Sequence, residues 1–215
     1  MFRPLILTAL LAAGTAAHAQ TADVTAWTDL NLRAGPGPGY QILGVIPAQA
    51  PVTLRGCLAE RSWCQVEFEG RQGWASGDYL TVMQNDAPVA VYPQREALRV
   101  ETLTYEGDEG GNALAGGTLG AIAGAAIGGP FGAAVGGAIG AGAGAAATPE
   151  TTVTRYVTEN PVEPVYLEGE VVTGATLPEV VQLQPVPESA YSYAYVNGVP
   201  VLVEPADRRI IYIVR

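Results

Sequence analysis

The sequence contains no lysine, and its single histidine is His18. These two absences exclude a phosphate loop closed by lysine, a lysine Schiff base, Ser-His-Asp and Cys-His nucleophile arrangements, and zinc sites built on imidazole. Positive charge is scarce as well: 11 arginines stand against 21 acids, for a formal charge of −10. A chain this acidic has little with which to release counterions from phosphates, so nucleic acid is not an expected partner. Carboxylate-pair chemistry of the glycosidase kind remains open through Glu60, Glu67, Glu69 and Asp78, but acids in a short β domain ordinarily make a solvated face. The expectation is a protein that is not an enzyme and holds no cofactor or metal.

Export is expected from residues 1–19. Arg3 starts the segment, Leu5 to Ala13 is its apolar run, and Ala17-His18-Ala19 is a small-residue cleavage site. The run is too short to span a bilayer, and no cysteine lies near the cut for a lipid anchor. Removing Arg3 leaves 10 arginines and 21 acids, a charge of −11. Periplasm or cell envelope is the expected location, with a membrane-associated form allowed.

Charge is also missing from the whole stretch 113–147, which holds 12 glycines. Gly116, Gly120, Gly124, Gly128, Gly132, Gly136, Gly140 and Gly144 recur every fourth residue. Four is a helical spacing, so the glycines would form one groove, with Leu119, Ile127, Phe131, Val135 and Ile139 as a ridge beside it. This is the form of a glycine zipper, and it predicts close helix packing for membrane association or self-association. Glycine in a water-exposed helix costs about 1 kcal/mol relative to alanine, so such helices must be buried. Gly128-Gly129-Pro130 reads as a break between two arms. Arms of roughly 16 residues, about 24 Å long, predict a helical hairpin and not two full spans. The alternative is an Ala/Gly linker. Gly142-x-Gly144-x-x-Ala147 lacks the strand that a dinucleotide fingerprint requires.

Residues 22–83 have a different texture, with short alternating runs broken by Gly and Pro, which predicts a small β-barrel of about five strands. Val52 to Leu54 and Gln65 to Phe68 alternate as strands, and Glu69 to Gly73 supplies a turn before Trp74, itself expected in the core. Cys57 and Cys64 are the only cysteines. In an oxidising compartment they most simply form one disulfide, with two reduced core cysteines as the alternative.

The run Leu30-Asn31-Leu32-Arg33-Ala34-Gly35-Pro36-Gly37, followed by Tyr40, Leu43, Ile46-Pro47, Val52, Gly56-Cys57, Trp63-Cys64-Gln65-Val66, Gly73-Trp74 and Tyr79-Leu80, resembles a bacterial SH3 domain in order and spacing over about 60 residues. Gln49 and Ala75 depart from the common pattern. The resemblance implies an SH3-like β-barrel and, as partner, cell-wall peptide or peptidoglycan. Arg33, Tyr40, Trp63 and Tyr79 are the candidate ligand-binding residues: three amphipathic aromatics to line a groove and one guanidinium fork for a carboxylate.

Residues 84–112 read as a linker in which Val89 to Tyr92 and Arg99 to Tyr105 are candidate edge strands, and residues 148–164 read as an extended spacer. From 165 to 215 the pattern predicts a three-stranded β-meander, with Asn197-Gly198 as a type I′ turn and Ile210 to Val214 as the third strand. With Gly174 to Val181 and Val186-Pro187, this part resembles an uncharacterised C-terminal family of exported bacterial proteins. Three strands need a partner surface to be stable.

The expected architecture is mainly β with a helical hairpin. The leading functional expectation is a non-enzymatic envelope protein whose SH3-like module binds the wall while the glycine stretch associates with membrane or with further copies. A structural or pore-forming oligomer, and a carboxylate-pair enzyme acting on wall glycans, are the alternatives.

Overall fold

The computed structural model describes residues 23–106, 121–126 and 149–215. The expected signal segment and most of the glycine stretch lie outside the described residues.

The N-terminal unit is a curled half-barrel. Its strands are β1 (Val24–Ala26), β2 (Leu30–Arg33), β3 (Ile42–Ile46), β4 (Pro51–Leu58), β5 (Trp63–Phe68), β6 (Arg71–Ser76), β7 (Leu80–Gln84) and β8 (Ala87–Ala90), in the order β3-β2-β6-β5-β4-β1-β7-β8. The β5–β6 turn is tighter than expected. Glu69 and Gly70 make it alone, at φ 49° and 75°, so Gln72 and Gly73 belong to β6. Cys57 and Cys64 face each other across β4 and β5 and are joined in a disulfide, and both are buried.

Residues 84–106 of the expected linker wrap this unit. β8 pairs with β7, whereas β9 (Thr102–Leu103) pairs in parallel with the end of β4, so the two candidate edge strands do not meet each other. Between them Tyr92 donates its hydroxyl to the Ala59 carbonyl, and Arg95 lies over the Tyr92 ring while also reaching Ala59.

In the glycine stretch, β10 (Ala121–Ala126) is a strand, pairing in parallel with β11 (Tyr166–Glu168). This corrects the expectation of a helical hairpin for the segment that contains Gly124. The described helix is a single short one, α1 (Thr151–Glu159). Glycine disfavours an unburied helix by about 1 kcal/mol per residue, and the open edge of β11 supplies the backbone partners that the segment needs. Gly116, Gly120, Gly128, Gly132, Gly136, Gly140 and Gly144 lie outside the described residues.

α1 occupies the expected spacer. Val153 and Val157, one turn apart, are its buried residues, and their burial overrides the weak helix propensity of its Val and Thr residues. Asn160 ends the helix: both its backbone N–H and its side-chain amide donate to the Tyr156 carbonyl.

The C-terminal sheet is β12 (Gln184–Pro185), β13 (Ser192–Val196), β14 (Val199–Glu204) and β15 (Arg209–Ile213), in that order. Asn197 and Gly198, at φ 50° and 84°, make the expected type I′ turn. Alternation along β13 and β14 gives the sheet two buried faces. Tyr193 and Leu202 pack with Val153 and Val157 of α1. Ala194, Val196, Val201 and Val203 join one apolar cluster with Leu30, Leu32, Val66 and Leu80 of the half-barrel. The two units therefore share a core, and the partner surface the meander requires is the N-terminal unit on one side and α1 on the other.

Reduction of Cys57–Cys64 opens a loop of sequence separation 7, which in the chain-entropy model costs about 2.5 kcal/mol. Dithiothreitol is expected to lower the melting temperature of the whole chain in a single transition, because the core is continuous. A melt that does not respond to the reductant counts against the bond.

Candidate functional site

β2 is buried along its whole length. Leu30 and Leu32 join the apolar core, so Asn31 and Arg33 share the opposite face. That face is covered by the segment after β11, whose Glu170 is 1 % exposed. Arg33, also 1 % exposed, donates from Nε to Glu170 Oε2 at 2.6 Å and from Nη2 to Oε1 at 2.7 Å, a bidentate pair. Its Nη1 donates to the carbonyls of Pro38 and Tyr40, and Nη2 also donates to the carbonyl of Asn197. These contacts match the five N–H groups of a guanidinium. The fork foreseen for a ligand carboxylate thus holds an internal one. Glu170 is in turn fixed by the Asn31 amide at 3.1 Å and the Val171 N–H at 2.8 Å. Asn197, the first residue of the type I′ turn, reaches into the same junction: its side chain accepts from the Leu167 N–H and donates to the Leu167 and Gly169 carbonyls.

The three candidate aromatics are buried as well, and they separate into two places. Tyr79 lies in the shared core. Burial raises its phenol well above the ordinary value near 10, and the charges of Asp78 and Glu170 push the same way. Trp63 packs instead with Leu58 and Trp74, the last buried as expected of a core residue. Tyr40 lies against the Gly35 backbone, where an added Cβ would sit 2.3 Å from its ring. Tyr105, from the former linker, meets both Tyr40 and Trp74 edge-on, with ring centroids 6.1 and 5.5 Å away.

Residues 28–81 match the family model of the bacterial SH3 domain. The chain carries a bacterial SH3 domain. Residues 156–215 match a domain of unknown function, DUF1236, a match that begins inside α1. No curated protein matches the chain. The SH3 domain spans β2 to β6 and the start of β7, so Arg33 belongs to it while Glu170 belongs to DUF1236: the buried pair joins the two domains.

Glu170 is not among the residues singled out from the sequence, and Asn197 and Tyr105 stand there only as turn and strand residues. An acid between Gly169 and the apolar Val171-Val172, and a Leu-x-Tyr alternation inside a linker, were the available signals. Of the acids considered for carboxylate chemistry, Glu67 pairs with Arg55, Glu69 is a turn residue, and both border an open cleft of about 350 Å³ with Asp23 and Thr53. Among the described residues there is no cluster of three or more His, Cys, Asp or Glu side chains suited to a metal. Also among the described residues, no helix is long and apolar enough to cross a membrane.

Glu170→Ala leaves the Arg33 charge buried with carbonyl partners but no counter-charge, which is expected to destabilise the chain by about 3 to 5 kcal/mol in urea unfolding. Both domains should unfold together, and selective loss of the DUF1236 sheet alone would contradict the shared core. The raised Tyr79 phenol predicts alkaline sensitivity. Its folded value lies above the unfolded one, so the associated stability is complete below about pH 10 and is lost as pH rises further. Tyr79→Phe should lose less stability than wild type between about pH 10 and 11.5, by at most about 1.4 kcal/mol per pH unit.

Proposed function

We propose that this is an exported, non-enzymatic cell-envelope protein whose SH3 domain binds wall peptide or peptidoglycan. The observation that carries the reading is the bacterial SH3 match over residues 28–81, on a half-barrel in which two of the four candidate carboxylates, Glu67 and Glu69, serve an ion pair and a turn. The DUF1236 domain acts as a second layer that steadies this module, through the Arg33–Glu170 pair and the common core. The uncharged glycine stretch 113–147, lying between the two domains in sequence, is in this reading the element for association with membrane or with further copies of the chain. The acidic balance favours small, amine-bearing or neutral ligands over polyanions.

The test is co-sedimentation of the full chain with purified sacculi. Saturable pelleting, competed by soluble wall peptides and without clearing of the suspension, is expected. Pelleting no greater than that of an unrelated acidic protein removes the wall-binding reading, and clearing of the sacculi removes the non-enzymatic one.

A further inference from the structure

β9 differs from every other pairing of the half-barrel. It is two residues long, it is the parallel partner in a sheet otherwise antiparallel, and it lies off the main strand path. Thr102 stands opposite Cys57 and Leu103 opposite Leu58, and the Cys57 N–H donates to the Glu101 carbonyl at 2.8 Å. The segment is seated closely: a Cβ on Gly56 would lie 2.7 Å from both the Glu101 oxygen and Leu103 Cγ. Residues 101–106 alternate, with Leu103 and Tyr105 half-buried and Glu101, Thr102, Thr104 and Glu106 exposed. The two inward side chains fill one apolar cradle, Leu103 and Tyr105 against Leu58, Trp63 and Trp74, with the Tyr105 ring also edge-on to Tyr40.

A strand added to a sheet edge by main-chain hydrogen bonds, with alternate side chains set into pockets, is the way many domains hold an extended peptide. We infer that the end of β4 and the Tyr40–Trp63–Trp74 cradle form a binding site for an extended protein segment, aliphatic at one position and aromatic two residues on, and that residues 101–106 fill it as an internal ligand. With a ladder of two residues and half-buried anchors, this strap is of the kind that opens without global unfolding. Opening bares an apolar face on Trp63 and Trp74, a surface that calls for an occupant. Wall glycans offer neither of the side chains that the strap places there, so a protein segment is the better fit. The inference draws on the function proposed above only in taking the SH3 domain to be a binder.

The test uses full-length wild type and the full-length double variant Leu103→Ser, Tyr105→Ala, titrated with a fluorescent synthetic peptide of residues 99–106. The double variant is expected to bind the peptide at least tenfold more tightly than wild type and not to bind a scrambled peptide, with tryptophan quenching by acrylamide raised and then reversed by the peptide. Gly56→Val pushes on the strap and blocks the same edge, so it should raise quenching and bind no peptide. Tyr105→Ala alone, a milder change should the double variant fail to fold, is expected to show intermediate affinity. Absence of peptide binding by a cooperatively melting variant, or equal binding by wild type, overturns the inference. Displacement of the peptide by purified sacculi also overturns it, because the groove then takes wall material. Sedimentation of wild type with sacculi decides the wall reading separately, so the failure of either is recognisable by itself.

Discussion

A guanidinium and a carboxylate removed from water on the same spot can remain charged only if each satisfies the other, and Arg33 and Glu170 do so from two different domains. The arrangement is demanding: Arg33 is matched by one carboxylate and three backbone carbonyls, while Glu170 is held by Arg33, the Asn31 amide and a backbone N–H. Replacing the pair with apolar side chains of the same volume would not obviously weaken the fold, but mismatching it would. Its consequence is therefore one of geometry. It fixes where the DUF1236 sheet rests on β2, and it admits the Asn197-Gly198 turn to the same junction.

Once that position is fixed, the rest of the C-terminal half follows from alternation. Each strand of a meander presents two faces, and in β13 and β14 both are covered: one is completed by the half-barrel and the other by α1. A sheet buried on both sides explains why apolar residues run with so little interruption through Val199 to Val203. It also explains the tyrosines. Tyr193 and Tyr195 face the helix side and give their hydroxyls to the carbonyls of Asn160 and Val157, so that a polar tip is satisfied at the end of an otherwise apolar layer.

The SH3 domain is consequently enclosed from two directions. DUF1236 covers the Asn31–Arg33 face, and the strap with Leu103 and Tyr105 covers the Trp63–Trp74 face. A module of this size has few aromatics that are not needed for its own core, and in this chain those that looked available are occupied by neighbouring segments of the same chain. Contact with any external ligand has to use the remaining open surface or compete with an internal occupant.

Much of the local structure was legible in the sequence, because its causes are local. Asn-Gly between two alternating runs calls for a type I′ turn, and the only two cysteines of a chain expected in an oxidising compartment most simply form one bond, as they do here. The ordered motifs from Leu30 to Leu80 likewise specified an SH3 domain without help from the rest of the chain. Three things were not legible. Nothing near Arg33 in sequence says that its partner is Glu170, since the pairing spans 137 residues and a surface-seeking arginine looks the same before its cover arrives. Thr151–Glu159 became helical because Val153 and Val157 found a sheet to pack on, a contact that overrides propensity. Residues 121–126 took strand form beside β11 although the glycine spacing argued for a helix, because backbone groups follow the hydrogen-bond partners that the tertiary fold places within reach. Periodicity and turn chemistry determined which elements this chain would make in most places; the fold alone decided which buried face each would meet, because burial depends on surfaces brought together from distant parts of the chain.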